Sequence, residues 1–118
     1  MKTPQSRGRR SEAAAAERFG AKLQPGSGNG SAKNDFVTDA VSVEWKSTSA
    51  LQYPLRRYEI EAAARNALID DKTMLFGIEY TTGFSGRQPL RVVVMLEDDY
   101  LAMRDRLAHV DEFGFDSP

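Results

Sequence analysis

Apolar and polar positions along this chain fall into short blocks, and the period of each block predicts a different element. Over 35–46, Asp-Phe-Val-Thr-Asp-Ala-Val-Ser-Val-Glu-Trp-Lys, the later residues alternate with a period of two. That period predicts a β-hairpin whose second strand turns Val41, Val43 and Trp45 to one face and Glu44 and Lys46 to the other. Over 11–22 the spacing is helical instead. Ala15, Ala16, Phe19 and Leu23 form an apolar stripe, and the alanine run with Glu12, Glu17 and Arg18 has high helix propensity. Ser11 is the expected N-cap, and Glu12 then falls in the first turn, where the helix dipole favours a carboxylate.

The blocks that follow are as legible. A helix is expected over 54–70, with Pro54 in its first turn and Leu55, Tyr58, Ile60, Ala62, Ala63, Ala67 and Leu68 on its apolar side. Met-Leu-Phe-Gly-Ile at 74–78 centres a buried strand over 73–80, and a valine-rich strand follows over 90–96. A last helix is expected over 97–108. Residues 24–34 are nearly devoid of apolar side chains and hold Gly26, Gly28 and Gly30, so they read as a loop bordering a site, and 81–89 reads as a turn region. The order helix, hairpin, helix, strand, strand, helix predicts an α/β fold, a small mixed β-sheet flanked by helices.

Composition narrows the chemistry. At 118 residues the chain suits one core. The expected division is a flexible basic arm over 1–10, one domain over 11–110 and a fraying acidic tail over 111–118. No apolar run is long enough to span a bilayer or to act as a leader, so a cytoplasmic protein with no membrane partner is expected. The absence of cysteine and the single histidine, His109, exclude thiolate zinc sites and thiol nucleophiles and argue against a histidine metal centre or a Ser-His-Asp triad. Any metal site must use oxygen. Asp35 and Glu44 can supply carboxylate oxygens to a hard divalent cation, and Lys46 beside Glu44 can brace a phosphate or orient a water. Asp39 and Glu17 are rival acids.

Charge divides unevenly between the halves. Residues 1–60 carry ten Lys and Arg against six Asp and Glu, whereas 61–118 carry six against eleven. Arg7, Arg9 and Arg10, with Lys2, can follow a phosphate backbone, although a merely solubilising terminus has the same composition. Arg56 and Arg57 oppose the dipole at the start of the second helix, which suggests a phosphate partner or a neighbouring acid. The glycine loop does not have P-loop spacing, because Lys33 is followed by Asn34.

Taken in order, Arg10-Ser11-Glu12, Pro25-Gly26-Ser27-Gly28, Lys33-Asn34-Asp35 and Glu44-Trp45-Lys46 resemble the PD-(D/E)XK nuclease superfamily, and within it the archaeal-type Holliday junction resolvases and their small phage relatives. The resemblance covers roughly residues 7 to 80. It implies a restriction-endonuclease-like core and a Mg²⁺- or Mn²⁺-dependent, structure-selective endonuclease that cuts DNA at four-way junctions as a homodimer, in a bacterial cell or a phage-infected host. Asp35 and Glu44 would ligate the ion, with the backbone carbonyl of Trp45 as a further ligand and Glu12 completing the acidic cluster. Lys46 would orient the attacking water, and Ser27 and Lys33 would join Arg7, Arg9, Arg10, Arg56 and Arg57 in contacting DNA. Asn34 stands where the superfamily has proline. Strand 74–80 and the second helix are candidates for the dimer surface, and both also suit the core. The same residues would serve a nicking, repair or homing-type nuclease, or a non-catalytic DNA-binding accessory protein that has kept the architecture.

Overall fold

The computed structural model describes residues 4–24, 33–81 and 88–113. Helix α1 (Pro4–Phe19) is followed by strands β1 (Lys22–Leu23), β2 (Phe36–Val37) and β3 (Val41–Thr48), helix α2 (Arg57–Ile69), strands β4 (Thr73–Tyr80) and β5 (Leu90–Val94), and helix α3 (Glu97–Phe113). The five strands form one sheet in the order β1-β2-β3-β4-β5. All neighbours are antiparallel except β3 and β4, which run parallel and are joined through α2. The fold is therefore α/β with a small mixed sheet, as the order of patterns predicts.

Each face of the sheet has its own core. On one face Ala15 and Ala16 of α1 pack with Phe36, Val43 and Trp45, joined by Phe19. Phe19 meets the rings of Phe36 and Trp45 edge-on, at 5.3 and 6.1 Å between centroids. On the other face Ala63 and Ala67 of α2 cover Met74, Phe76 and Ile78. Small residues on both helices let them lie close to the sheet, and large residues on the strands fill the space between.

Helix α1 departs from its expected bounds. It begins at Pro4 and ends at Phe19, so residues 4–10, read from the sequence as a flexible arm, are its first turns. Proline suits the first helical position, and glutamine and arginine continue the helix readily. Ser11 is accordingly not an N-cap, and Glu12 lies mid-helix, away from the favourable end of the dipole. The helix stops early because Gly20 takes φ +65°. Gly20 N–H then donates to Glu17 C=O at 3.1 Å and Ala21 N–H to Ala16 C=O at 2.8 Å, a Schellman closure. Leu23, expected on the stripe, lies instead on β1 and is exposed.

Helix α2 starts at Arg57 rather than Pro54. Arg56 is extended, and its N–H donates to the Glu59 carboxylate at 3.0 Å, which fixes the first turn. The helix ends in a second Schellman closure with Asp71 at φ 56°. β5 ends at Val94, and α3 continues to Phe113, into the segment expected to fray. Residues 114–118 lie outside the described residues.

Candidate active site

The two ends of the hairpin bring the site together. β2 pairs with β3 only through Ser42 and Val43, so among the described residues no strand continues along the rest of that edge of β3. Asp35, just before β2, meets that edge with its side chain: its N–H donates to Val43 C=O at 2.9 Å, and its Oδ2 accepts from the Trp45 N–H at 2.8 Å. A carboxylate thus takes the place of the next ladder carbonyl. Since neighbouring residues point to opposite faces, Phe36 enters the α1 core while Asp35 turns toward Glu44.

Asn34 holds this corner in place. It is 1% exposed, donates through Nδ2 to Ser42 Oγ at 2.8 Å and to Ala63 C=O at 3.0 Å, and accepts from Asn66 Nδ2 at 3.2 Å. One amide therefore ties the hairpin to α2. Sequence reasoning missed this, treating Asn34 only as a replacement for proline. Three hydrogen bonds, one to β3 and two to α2, are invisible before the chain is folded.

Glu44 and Lys46 share the α2 side of β3, with Lys46 Nζ 3.3 Å from Glu44 Oε2. They line a cavity of about 430 Å³ together with Lys33, Asn34, Asp35, Tyr58, Glu59, Ala62, Ala63, Asn66 and Phe76. Burial lifts the Glu44 carboxyl to about 7, aided by the charge of Asp35 and opposed by Lys46. Burial also raises Asp35, although the Trp45 N–H and Lys46 oppose it. Each carboxyl lies close enough to perturb the other. Glu12 does not line the cavity, but burial, and after it the charge of Asp35, raises it to about 7. Three acids crowd one ammonium.

That crowding gives a testable pH dependence. Unfolded Glu44 ionises near 4.5 and folded Glu44 near 7, so between these values the folded chain holds the extra proton. Stability therefore falls as pH rises through this window. Glu44→Gln is expected to raise the melting temperature in chelator at about pH 8 and to add little at about pH 4, where the native carboxyl is protonated in both states. A gain equal at both pH values would remove the electrostatic account.

The other expected residues separate into groups. Arg9 and Arg10 are exposed on α1, and Arg7 lies in the same helix. Arg56 and Arg57 are exposed at the start of α2, where Arg57 lies 3.6 Å from Glu61. An acid neighbour thus accounts for part of the unfavourable placement of Arg57. Lys33 is exposed at the cavity rim. Ser27 lies outside the described residues. Asp39 is exposed beside the β2–β3 turn and lines a different groove with Lys72, and Glu17 is exposed on α1.

Glu59 and Tyr53 were not singled out by sequence. Tyr53 Oη donates to Glu59 Oε1 at 2.8 Å, and burial together with Glu59 raises the phenol. Although burial works against it, Glu59 is held below its ordinary value by the Arg56 N–H and the Tyr53 hydroxyl. Glu59 is thus a committed anion at the cavity wall. The Glu at the third helical position was the available signal.

A divalent cation suits this donor set. Asp35 and Glu44 present hard oxygen ligands, are partly desolvated, and compete for a proton that a cation can replace. Among the described residues no three acidic or histidine side chains gather closely enough to hold an ion alone. A third protein ligand would come from outside that set, from a backbone carbonyl such as that of Trp45 or from a neutral oxygen donor of the cavity lining. Compared with protein families, with characterised proteins and with solved structures, the chain gives no match.

Proposed function

We propose that this chain is a metal-dependent DNA endonuclease of the PD-(D/E)XK kind, acting on branched DNA, with a four-way junction as its preferred substrate and the cytoplasm as its setting. The observation that carries the reading is the buried Asp35 beside the partly buried Glu44 at one end of the cavity, with Lys46 3.3 Å from Glu44. A structural ion pair would match charges, whereas here the acids are in excess. That imbalance is what a cation-binding hydrolytic site requires.

In this reading Asp35 and Glu44 hold Mg²⁺ or Mn²⁺, with the Trp45 carbonyl beside them. When bound, the ion supplies Lewis acidity to the phosphate and lowers the pKa of a ligated water. Lys46 orients the attacking water and offsets negative charge as it builds on the phosphate oxygens. Glu12, raised to about 7, holds or releases a proton near neutrality at the margin of the site. Arg9, Arg10, Arg56, Arg57 and Lys33 offer phosphate contacts that position the DNA without reading its sequence.

The test compares a labelled four-way junction with a linear duplex of the same arms in Mg²⁺, using the native chain, Asp35→Asn and Asp39→Asn. Symmetric nicks in the junction alone are expected, with at least about a hundredfold loss for Asp35→Asn and less than about a twofold change for Asp39→Asn. Equal cutting of duplex would make the chain a broader nuclease. No cutting of either, with salt-sensitive binding retained, would replace catalysis by a binding role. Loss confined to Asp39→Asn would overturn the site.

A further inference from the structure

Helix α3, with Leu96 just before it, carries an apolar seam that the described residues leave uncovered. Leu96, Tyr100, Met103, Leu107 and Val110 follow one another at intervals of four, three, four and three residues. This is heptad spacing, which keeps one narrow stripe in line along a helix. Leu96 is 39% exposed, Tyr100 48%, Met103 43% and Leu107 59%. Neither core cluster includes a residue of α3, and no other element packs extensively along it among the described residues. A helix of seventeen residues has no evident reason to persist in water with such a stripe unpaired.

The charges beside the seam select its partner. Asp99 and Arg104 flank the stripe on opposite sides five residues apart, and so do Arg106 and Asp111. In two parallel, in-register helices these are the positions that meet across the seam. Asp99 then faces the partner's Arg104, and Arg106 faces the partner's Asp111, each twice by symmetry. The antiparallel alternative that stacks Met103 on the partner's Leu107 brings like-charged arginines together at the centre. Arg104 already lies 3.3 Å from Asp105, an exposed contact of little strength that a cross-helix pair can replace.

We propose that α3 is a self-association surface and that its occupant is α3 of a second copy, parallel and in register. The interior strand β4, whose Met74, Phe76 and Ile78 are buried beneath α2, is unavailable for this role. Two heptads are too short to pair as isolated peptides, but each helix here grows from a folded domain, so part of the ordering cost is already met. The result is a reversible dimer rather than a permanent one. This inference is independent of the nuclease reading, because its measurement involves neither metal nor DNA.

Sedimentation equilibrium of the full chain tests it, with circular dichroism to verify that each variant is folded. The native chain is expected to move from 13.1 kDa toward twice that mass as concentration rises. D99R and R104D are each expected to weaken the dimer by about tenfold, and the double exchange D99R/R104D to restore it. Because the chain has no cysteine, Leu107→Cys introduces a unique thiol that should cross-link between copies on oxidation. A monomer at all concentrations would overturn the proposal, as would a dimer indifferent to both charge reversals. A dimer that persists without cross-linking through Leu107→Cys would overturn the parallel register.

Discussion

Replacing Glu44 by alanine is expected to lower junction cleavage by at least about a thousandfold, equivalent to about 4 kcal/mol of lost transition-state stabilisation. Asp35 and Glu44 are the two side chains on which metal binding depends in the proposed site, and a single carboxylate holds a hard cation poorly. DNA binding should be retained or tightened, since the substitution removes negative charge from a surface that must approach phosphate. Folding should survive as well, because the lost group is one whose ionised form is disfavoured by burial. Gel-shift measurements without metal, run beside the cleavage assay, separate these effects. Trp45, the one tryptophan of the chain, adjoins Glu44, so sensitised Tb³⁺ emission offers a direct readout of ion binding. Native-rate cleavage by Glu44→Ala would exclude Glu44 from the chemistry, whatever the junction result for Asp35.

The second large effect is structural. Gly77→Ala is expected to destabilise the fold by about 3 kcal/mol and to lower the melting temperature by roughly 10 °C. Gly77 of β4 is the parallel partner of Trp45 in β3, and a Cβ built on it would fall within the Trp45 indole. The ring cannot withdraw easily. It is 5% exposed, its Nε1 donates to Ser11 Oγ at 2.8 Å, and Arg18 lies over it at 5.6 Å. Ser11 in turn donates to the buried Glu79 at 2.8 Å, and Glu79 accepts from Arg91 at 2.6 Å. A displaced ring would disturb that chain and, through the Trp45 backbone, the hydrogen bond that orients Asp35. Loss of activity should therefore accompany the loss of stability. Gly8→Ala is the control, with nothing near its added methyl and a helical position that gains about 0.5–1 kcal/mol. Equal melting temperatures for Gly77→Ala and the native chain would mean that the indole does not cover Gly77.

Much of the architecture was legible because it depends on local patterns. The bounds of β4, the starts of β5 and α3, and the opposition of Glu44 and Lys46 to Val43 and Trp45 all follow from periods of two or 3.6 residues. Helix ends were read less well. The Pro4 start of α1 has no local pattern that outweighs Ser11 as a cap, and the stop at Gly20 depends on φ +65°, which the sequence permits without requiring. The serine expected to cap a helix instead links Trp45 to Glu79. Residues separated by more than sixty positions cannot announce such a contact through spacing.

The sequence by itself determined the kinds of element, the face each strand residue takes, and the oxygen-only chemistry open to a chain with no cysteine and one histidine. Tertiary structure alone decided that β3 and β4 lie parallel, that Asp35 accepts the Trp45 N–H, that Asn34 joins the hairpin to α2, and that the seam of α3 stays exposed among the described residues. The division has a physical cause. Backbone geometry fixes side-chain direction within an element over a few residues, whereas burial, hydrogen-bond partners and shifted pKa values arise only when distant segments exclude water together.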